Sequence, residues 1–90
     1  MNVCDRLKQL VKEGWKVVDV RSPAEYNSGR IEGAVNIPMQ DIQALDDAGK
    51  YLLYCRSGAR SGAAAQYLSS KGVESMNIGG INQFIGCLEY

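Results

Sequence analysis

Cys55, Arg56 and Arg60 stand close together in the stretch Tyr51–Gln66, YLLYCRSGARSGAAAQ. Its order is an apolar run, a cysteine, a short polar loop and a segment of small residues. Tyr51-Leu52-Leu53-Tyr54 reads as a strand, and Gly62 onward to Leu68 reads as a helix. A strand, a tight turn and a helix in that order build a nest of backbone N–H groups at the helix mouth. A cysteine at the start of such a turn is favoured as thiolate by the amides, the helix dipole and two guanidinium groups. A free thiol titrates near pH 8.5, and such surroundings bring it to roughly 3.5–7.5. The stretch therefore predicts a negative charge on sulfur, or an anion held beside it. Gly58 is suited to a backbone angle that a side chain resists. Gly62, Ala63, Ala64 and Ala65 let the helix lie close to a sheet.

The chain contains no histidine, so a Cys–His dyad within it is excluded. Activation has to come from the loop itself. That narrows the chemistry to substrates that already carry a good leaving group. The competing reading is a buried, inert strand-end cysteine with solvent-facing arginines.

The elements that must position this loop alternate between helix and strand. Leu7, Leu10 and Val11 lie at helical spacing in residues 4–13, and Gly14 stops that helix. Met1 to Val3 could form only a short first strand. Trp15 to Val20 is a strand with β-branched residues. Asp19 and Arg21 fall at its carboxyl end, where open α/β sheets place their sites. Their expected task is support: pairing with basic groups or backbone amides and holding the loops. Ser22-Pro23-Ala24-Glu25 starts a helix, with serine as cap, proline at the first position and glutamate three residues after the cap. Tyr26 would anchor it, and it ends near Gly29.

A short strand is expected over Ala34–Ile37, ended by Pro38. A short helix follows over Asp41–Leu45, with Asp41 as cap. The strand at Tyr51 and the helix to about Ser70 come next. The last strand runs from Val73 to Ile78, with Met76 and Ile78 facing inward. Gly79-Gly80 is a turn passing close to the cysteine loop, and Ile81–Leu88 is a short helix. The alternation predicts an α/β domain, a small parallel sheet with helices on both faces.

The loop Cys55-Arg56-Ser57-Gly58-Ala59-Arg60-Ser61 resembles the active-site loop of the rhodanese domain, a sulfurtransferase. Val18-Asp19-Val20-Arg21, Glu25-Tyr26 and Gly29-Arg30-Ile31-Glu32-Gly33-Ala34-Val35-Asn36-Ile37-Pro38 resemble that family's first segment. Gly79-Gly80 resembles its closing signature. The three blocks span about residues 17–85, in the family's order. Two positions depart from it. Arg30 stands where the family usually has histidine, and Phe84 where it often has tryptophan; both are matters of packing rather than of the nucleophile.

The resemblance implies a sheet of four to five strands with the first one vestigial. It implies sulfur transfer through a persulfide on Cys55, with Arg56, Ser57, Gly58, Ala59, Arg60 and Ser61 binding the substrate. Asp19, Arg21 and Glu25 would support the site. The donor would be thiosulfate or a similar small anion, and the acceptor cyanide, a thiol or a sulfur-accepting protein. No cofactor or metal is called for. One alternative is a protein-to-protein persulfide carrier or an interaction domain. A cysteine phosphatase or arsenate reductase is disfavoured by spacing: related phosphatases have five residues between cysteine and arginine, whereas Arg56, Ser57, Gly58 and Ala59 make four here. The smaller ring suits a sulfur atom better than a tetrahedral phosphoryl group.

Composition sets the outer bounds. Ninety residues make one domain, residues 1–90. Ten basic and ten acidic residues balance to zero net charge, which disfavours nucleic acid as a partner. The N-terminus lacks a secretory apolar segment and no stretch approaches a membrane span, so a cytoplasmic protein is expected. Cys4, Cys55 and Cys87 are odd in number and irregularly spaced, which does not read as a disulfide framework. Cys4 and Cys87 read as small hydrophobes or bystander thiols. Their alternative is to accept sulfur from Cys55 or to form a disulfide with it.

Overall fold

The computed structural model describes residues 2–90. Helix α1 spans Val3–Lys12, strand β1 Trp15–Asp19, and helix α2 Pro23–Asn27. Short strands β2 and β3 follow at Arg30–Ile31 and Val35–Asn36, then a 3₁₀ helix at Met39–Ala44. Strand β4 is Lys50–Cys55, helix α3 Ala59–Ser70, and strand β5 Glu74–Gly80. A second 3₁₀ helix at Ile81–Cys87 leads into strand β6, Leu88–Glu89.

The main sheet has four strands in the order β3-β1-β4-β5, each neighbouring pair parallel. No fifth strand joins it among the described residues. Met1 of the expected first strand lies outside them; Asn2 caps α1 through its side chain and Val3 is already helical. β4 sits between β1 and β5 and is buried along nearly its whole length. Its alternation sends Tyr51, Leu53 and Cys55 to one face with Val18 of β1, Val20 just beyond it, and Ala64 and Leu68 of α3. Leu52 and Tyr54 go to the other with Leu7, Val17, Ile31 and Phe84. Helices therefore cover both faces, and the strand that delivers Cys55 is held from both sides.

Several local expectations change. α3 begins three residues earlier than Gly62, at Ala59, because Gly58 takes the N-cap position in a left-handed conformation (φ 95°). The helix at Met39–Ala44 is 3₁₀, capped by Pro38 without a side-chain bond, so Asp41 lies inside it rather than at the cap. Residues 81–87 form a 3₁₀ helix, and Leu88 and Glu89 leave it to pair antiparallel with β2. Met76 is 43% exposed rather than inward, because β5 is an edge strand and the covering elements on that face stop short of it. Gly79-Gly80 is the end of β5 rather than a turn.

Cys4 and Cys87 form a disulfide with a Cα–Cα distance of 5.5 Å, leaving Cys55 as the free cysteine. This overturns the reading of two bystander thiols. The sequence separation of 83 residues hides the pairing; it arises because α1 and the last 3₁₀ helix pack against each other over the sheet. A disulfide persists in an oxidising compartment, whereas a reducing one would leave two thiols. Closing so long a loop restricts the unfolded chain strongly. Reduction, or Cys4→Ser, is expected to lower stability by about 2–4 kcal/mol, measured by urea denaturation with and without reductant. Coincident transitions would contradict this.

Candidate active site

Cys55 ends β4 fully buried, and the chain turns at once through exposed Arg56 and Ser57. Gly58 then reverses the backbone so that the first amides of α3 point back at the sulfur. The Gly58 N–H donates to Cys55 Sγ at 3.0 Å and the Ser61 N–H at 3.4 Å. The Ser61 hydroxyl lies 3.5 Å from the same atom. Burial alone pushes the thiol upward. The Ser61 hydroxyl and the amides of Ser61, Ser57 and Gly58 outweigh it, and the pKa falls to about 7.

The ring closes so tightly because β5 presses against it. A Cβ at Gly58 would lie 3.3 Å from the Gly79 Cα, and one at Gly80 would meet the Arg56 carbonyl oxygen at 2.5 Å. Here only a missing side chain lets strand and loop approach. Gly80→Ala is expected to push the loop outward and lower kcat/KM by about a hundredfold for a displacement near 1 Å. An unchanged rate in a steady-state assay would show that the loop tolerates the shift.

The two arginines of the loop differ in their surroundings. Arg60 makes a two-pronged bond to Glu25 of α2, at 2.9 and 3.0 Å. Glu25 also accepts from the Ser22 N–H at the cap of α2, completing the expected capping box. The Arg60 bond, followed by the Ser22 amide, holds the Glu25 carboxyl down at about 2. Glu25 thus ties α2 to the start of α3. Arg56 is exposed and has no ion-pair partner among the described residues.

Asp19 and Arg21 are brought together below the site. Asp19 Oδ1 accepts from the Arg21 N–H and Nε, and Oδ2 from Arg21 Nη2 at 2.7 Å and from the Tyr54 hydroxyl at 2.8 Å. Arg21 also donates to the Gly29 carbonyl, and Tyr54 accepts from the Ile31 N–H. Asn36 spans the Asp19 and Arg21 carbonyls. Tyr54 precedes Cys55 but points to the opposite face, so this network braces the strand end and the loops without touching sulfur. Arg30 stacks on Tyr26 and pairs with Glu89 at 3.4 Å, and Phe84 is a buried anchor.

Asn77 of β5 has no place in the sequence reading, yet its side chain contacts both Ser61 and Gly58. A polar residue just before a glycine pair was the available signal. A groove of about 640 Å³ lies elsewhere, between α1, Trp15 and Val35, and does not include Cys55. Among the described residues no three His, Cys, Asp or Glu side chains converge as metal ligands, and no helix is long and apolar enough to cross a membrane.

A buried cysteine whose sulfur accepts loop amides thus ends the central strand at the carboxyl edge of a parallel sheet. Residues 3–87 match the rhodanese-like domain family, and the chain belongs to it. The putative sulfurtransferase YtwF of Bacillus subtilis is 38% identical over 68 residues, 71% of this chain and 66% of that protein. The thiosulfate sulfurtransferase PspE of Escherichia coli is 34% identical over 82 residues, 83% of this chain and 77% of that one. Among solved structures, a protein from Staphylococcus saprophyticus superposes with a TM-score of 0.78 at 32% identity, covering 100% of both chains. A rhodanese with anions from E. coli gives 0.69 at 32% identity, covering 77% of this chain and 89% of that one.

Proposed function

We propose that this protein is a sulfurtransferase that carries sulfane sulfur as a persulfide on Cys55. The observation that carries the reading is the pair of backbone donors on Cys55 Sγ, the Gly58 and Ser61 N–H groups, with the Ser61 hydroxyl 3.5 Å away. Thiolate attacks the outer sulfur of thiosulfate. The Sγ–S bond forms, the S–S bond of thiosulfate breaks, and sulfite leaves with the electron pair. The amides of the loop offset the charge on the persulfide. Cyanide or a thiolate then attacks the outer sulfur, and Cys55 departs as thiolate. No general acid is needed, because each leaving group is stable as an anion.

Thiosulfate as donor is supported by the names of relatives: PspE, and a thiosulfate:glutathione sulfurtransferase of Saccharomyces cerevisiae, 33% identical over 88 residues. In this chain Arg56 supplies the exposed positive charge that draws the donor in, and Arg60 shares its charge with Glu25. Asp19, Arg21 and Glu25 hold the loop in place. A second reading, delivery to a sulfur-accepting protein, is favoured by the exposed turn at Arg56 and Ser57, which covers buried Cys55 outside the groove. A protein surface could then supply the selectivity that the small ring lacks.

The test is the intact mass of reduced protein after incubation with thiosulfate. A gain of one sulfur atom, removed by a thiol and absent from Cys55→Ser, is expected. No gain would sink thiosulfate as donor and direct the search to protein persulfides.

A further inference from the structure

Ser61 Oγ is buried and carries a single proton. It lies 2.7 Å from Asn77 Oδ1, 3.2 Å from the Gly58 carbonyl and 3.5 Å from Cys55 Sγ. One hydroxyl cannot donate strongly in three directions. The orientation of the Asn77 amide is decided by its other partners. Its Oδ1 also accepts from the Gly79 N–H at 3.0 Å, and its Nδ2 donates to the Gly58 carbonyl at 3.1 Å. Gly79 N–H can only donate and the Gly58 carbonyl can only accept, so the oxygen of the amide faces Ser61. With the proton on Asn77, Ser61 turns a lone pair toward sulfur. That suits an S–H group and opposes a thiolate. For the thiolate to gain the hydroxyl, Ser61 must rotate and release Asn77.

Strand register places Asn77 for this contact, and a bulge follows it. In the register of β4 with β5, Leu53 faces Asn77 but Tyr54 faces Gly79, which leaves Ile78 as the extra residue. Asn77 and Gly80 therefore both lie on the face shared with Cys55 and α3, although three positions apart.

We infer that Asn77 is a positioning residue that competes with Cys55 for the Ser61 proton and so sets how readily the thiolate forms. The inference rests on Cys55 being the nucleophile. On ionisation the Cys55 proton passes to water, Ser61 rotates, and Asn77 Oδ1 keeps only the Gly79 amide. The charged group facing Cys55 is Arg60, paired with Glu25 of α2; Arg56 flanks it in the loop, and the Asp19–Arg21 pair lies on the opposite face of the sheet. The substitutions below leave all of these in place.

The experiment is the pH dependence of Cys55 alkylation by iodoacetamide, read by mass, with no sulfur donor present. It is run on wild type, Asn77→Ala, Ser61→Ala and the double variant. Asn77→Ala is expected to move the midpoint down by about half to one pH unit, the worth of one released hydrogen bond. Ser61→Ala should move it up, and in that background Asn77→Ala should have no further effect. A purely structural Asn77 predicts the opposite sign, because a slackened loop withdraws its amides and the midpoint rises. An upward or absent shift in Asn77→Ala, or the same downward shift without Ser61, overturns the inference. If Asn77→Ala does not fold, Asn77→Asp answers instead. Its carboxylate holds the hydroxyl more tightly, so the midpoint should rise, and rise less without Ser61; equal rises in both backgrounds would overturn the inference too. Because no donor is used, these outcomes are independent of whether thiosulfate loads the protein.

Discussion

Cys55→Ser is expected to reduce sulfur transfer by more than about a thousandfold, to background, while leaving the fold intact. Serine fills the same buried position, but its hydroxyl does not ionise near neutral pH and its oxygen cannot carry a persulfide. In wild type, reactivity should follow the thiolate. Alkylation and single-turnover sulfur loading should both rise with pH and reach half-maximum at about pH 7, where the ring of amides has brought the thiol. The same shift bears on stability. Folding lowers this thiol to about 7, so the thiolate contributes to stability in full above the pKa of the unfolded thiol. That contribution is lost as pH falls through about 7, and Cys55→Ser should flatten the stability profile in this window. Residual turnover by the serine variant at more than a few per cent of wild type would remove Cys55 from the mechanism.

Asp19→Asn is expected to cost about 3–5 kcal/mol of stability, the usual consequence of removing one partner from a buried ion pair. The carboxylate is fully buried and accepts from Arg21 and from the Tyr54 hydroxyl. An amide offers one acceptor where two are used, and leaves the Arg21 charge uncompensated among apolar neighbours. The damage should not stop at stability. Arg21 holds the Gly29 carbonyl and Tyr54 holds the Ile31 amide, so the segment between β1 and β3 loses its fixed ends. Urea denaturation gives the cost directly. A loss under about 1 kcal/mol would mean that water or a rearranged arginine satisfies the pair, as at a surface bridge.

What could be read from the residues alone is local. Gly58 needs a positive φ because it must turn amides back upon a neighbouring sulfur, and no other residue does that cheaply. Ser22-Pro23-Ala24-Glu25 is a helix start wherever it occurs, since its bonds are made among residues three apart. The buried run Tyr51–Cys55 is a central strand because both of its faces are apolar. The free cysteine's place at a strand end, its loop and the parallel α/β class follow from these short-range constraints.

The remainder was settled by contacts between distant segments. Strand alternation alone assigns Met76 and Ile78 to the core; Ile78 does pack against it, but the open edge of β5 leaves Met76 exposed, and the register with β4 brings Asn77 onto Ser61. The bond of Arg60 to Glu25 exists because α2 packs against the start of α3. Cys4 and Cys87 become a disulfide because α1 and the last 3₁₀ helix meet over one face of the sheet. Each of these depends on the register and packing of elements far apart in the chain, and such energies have no local signature.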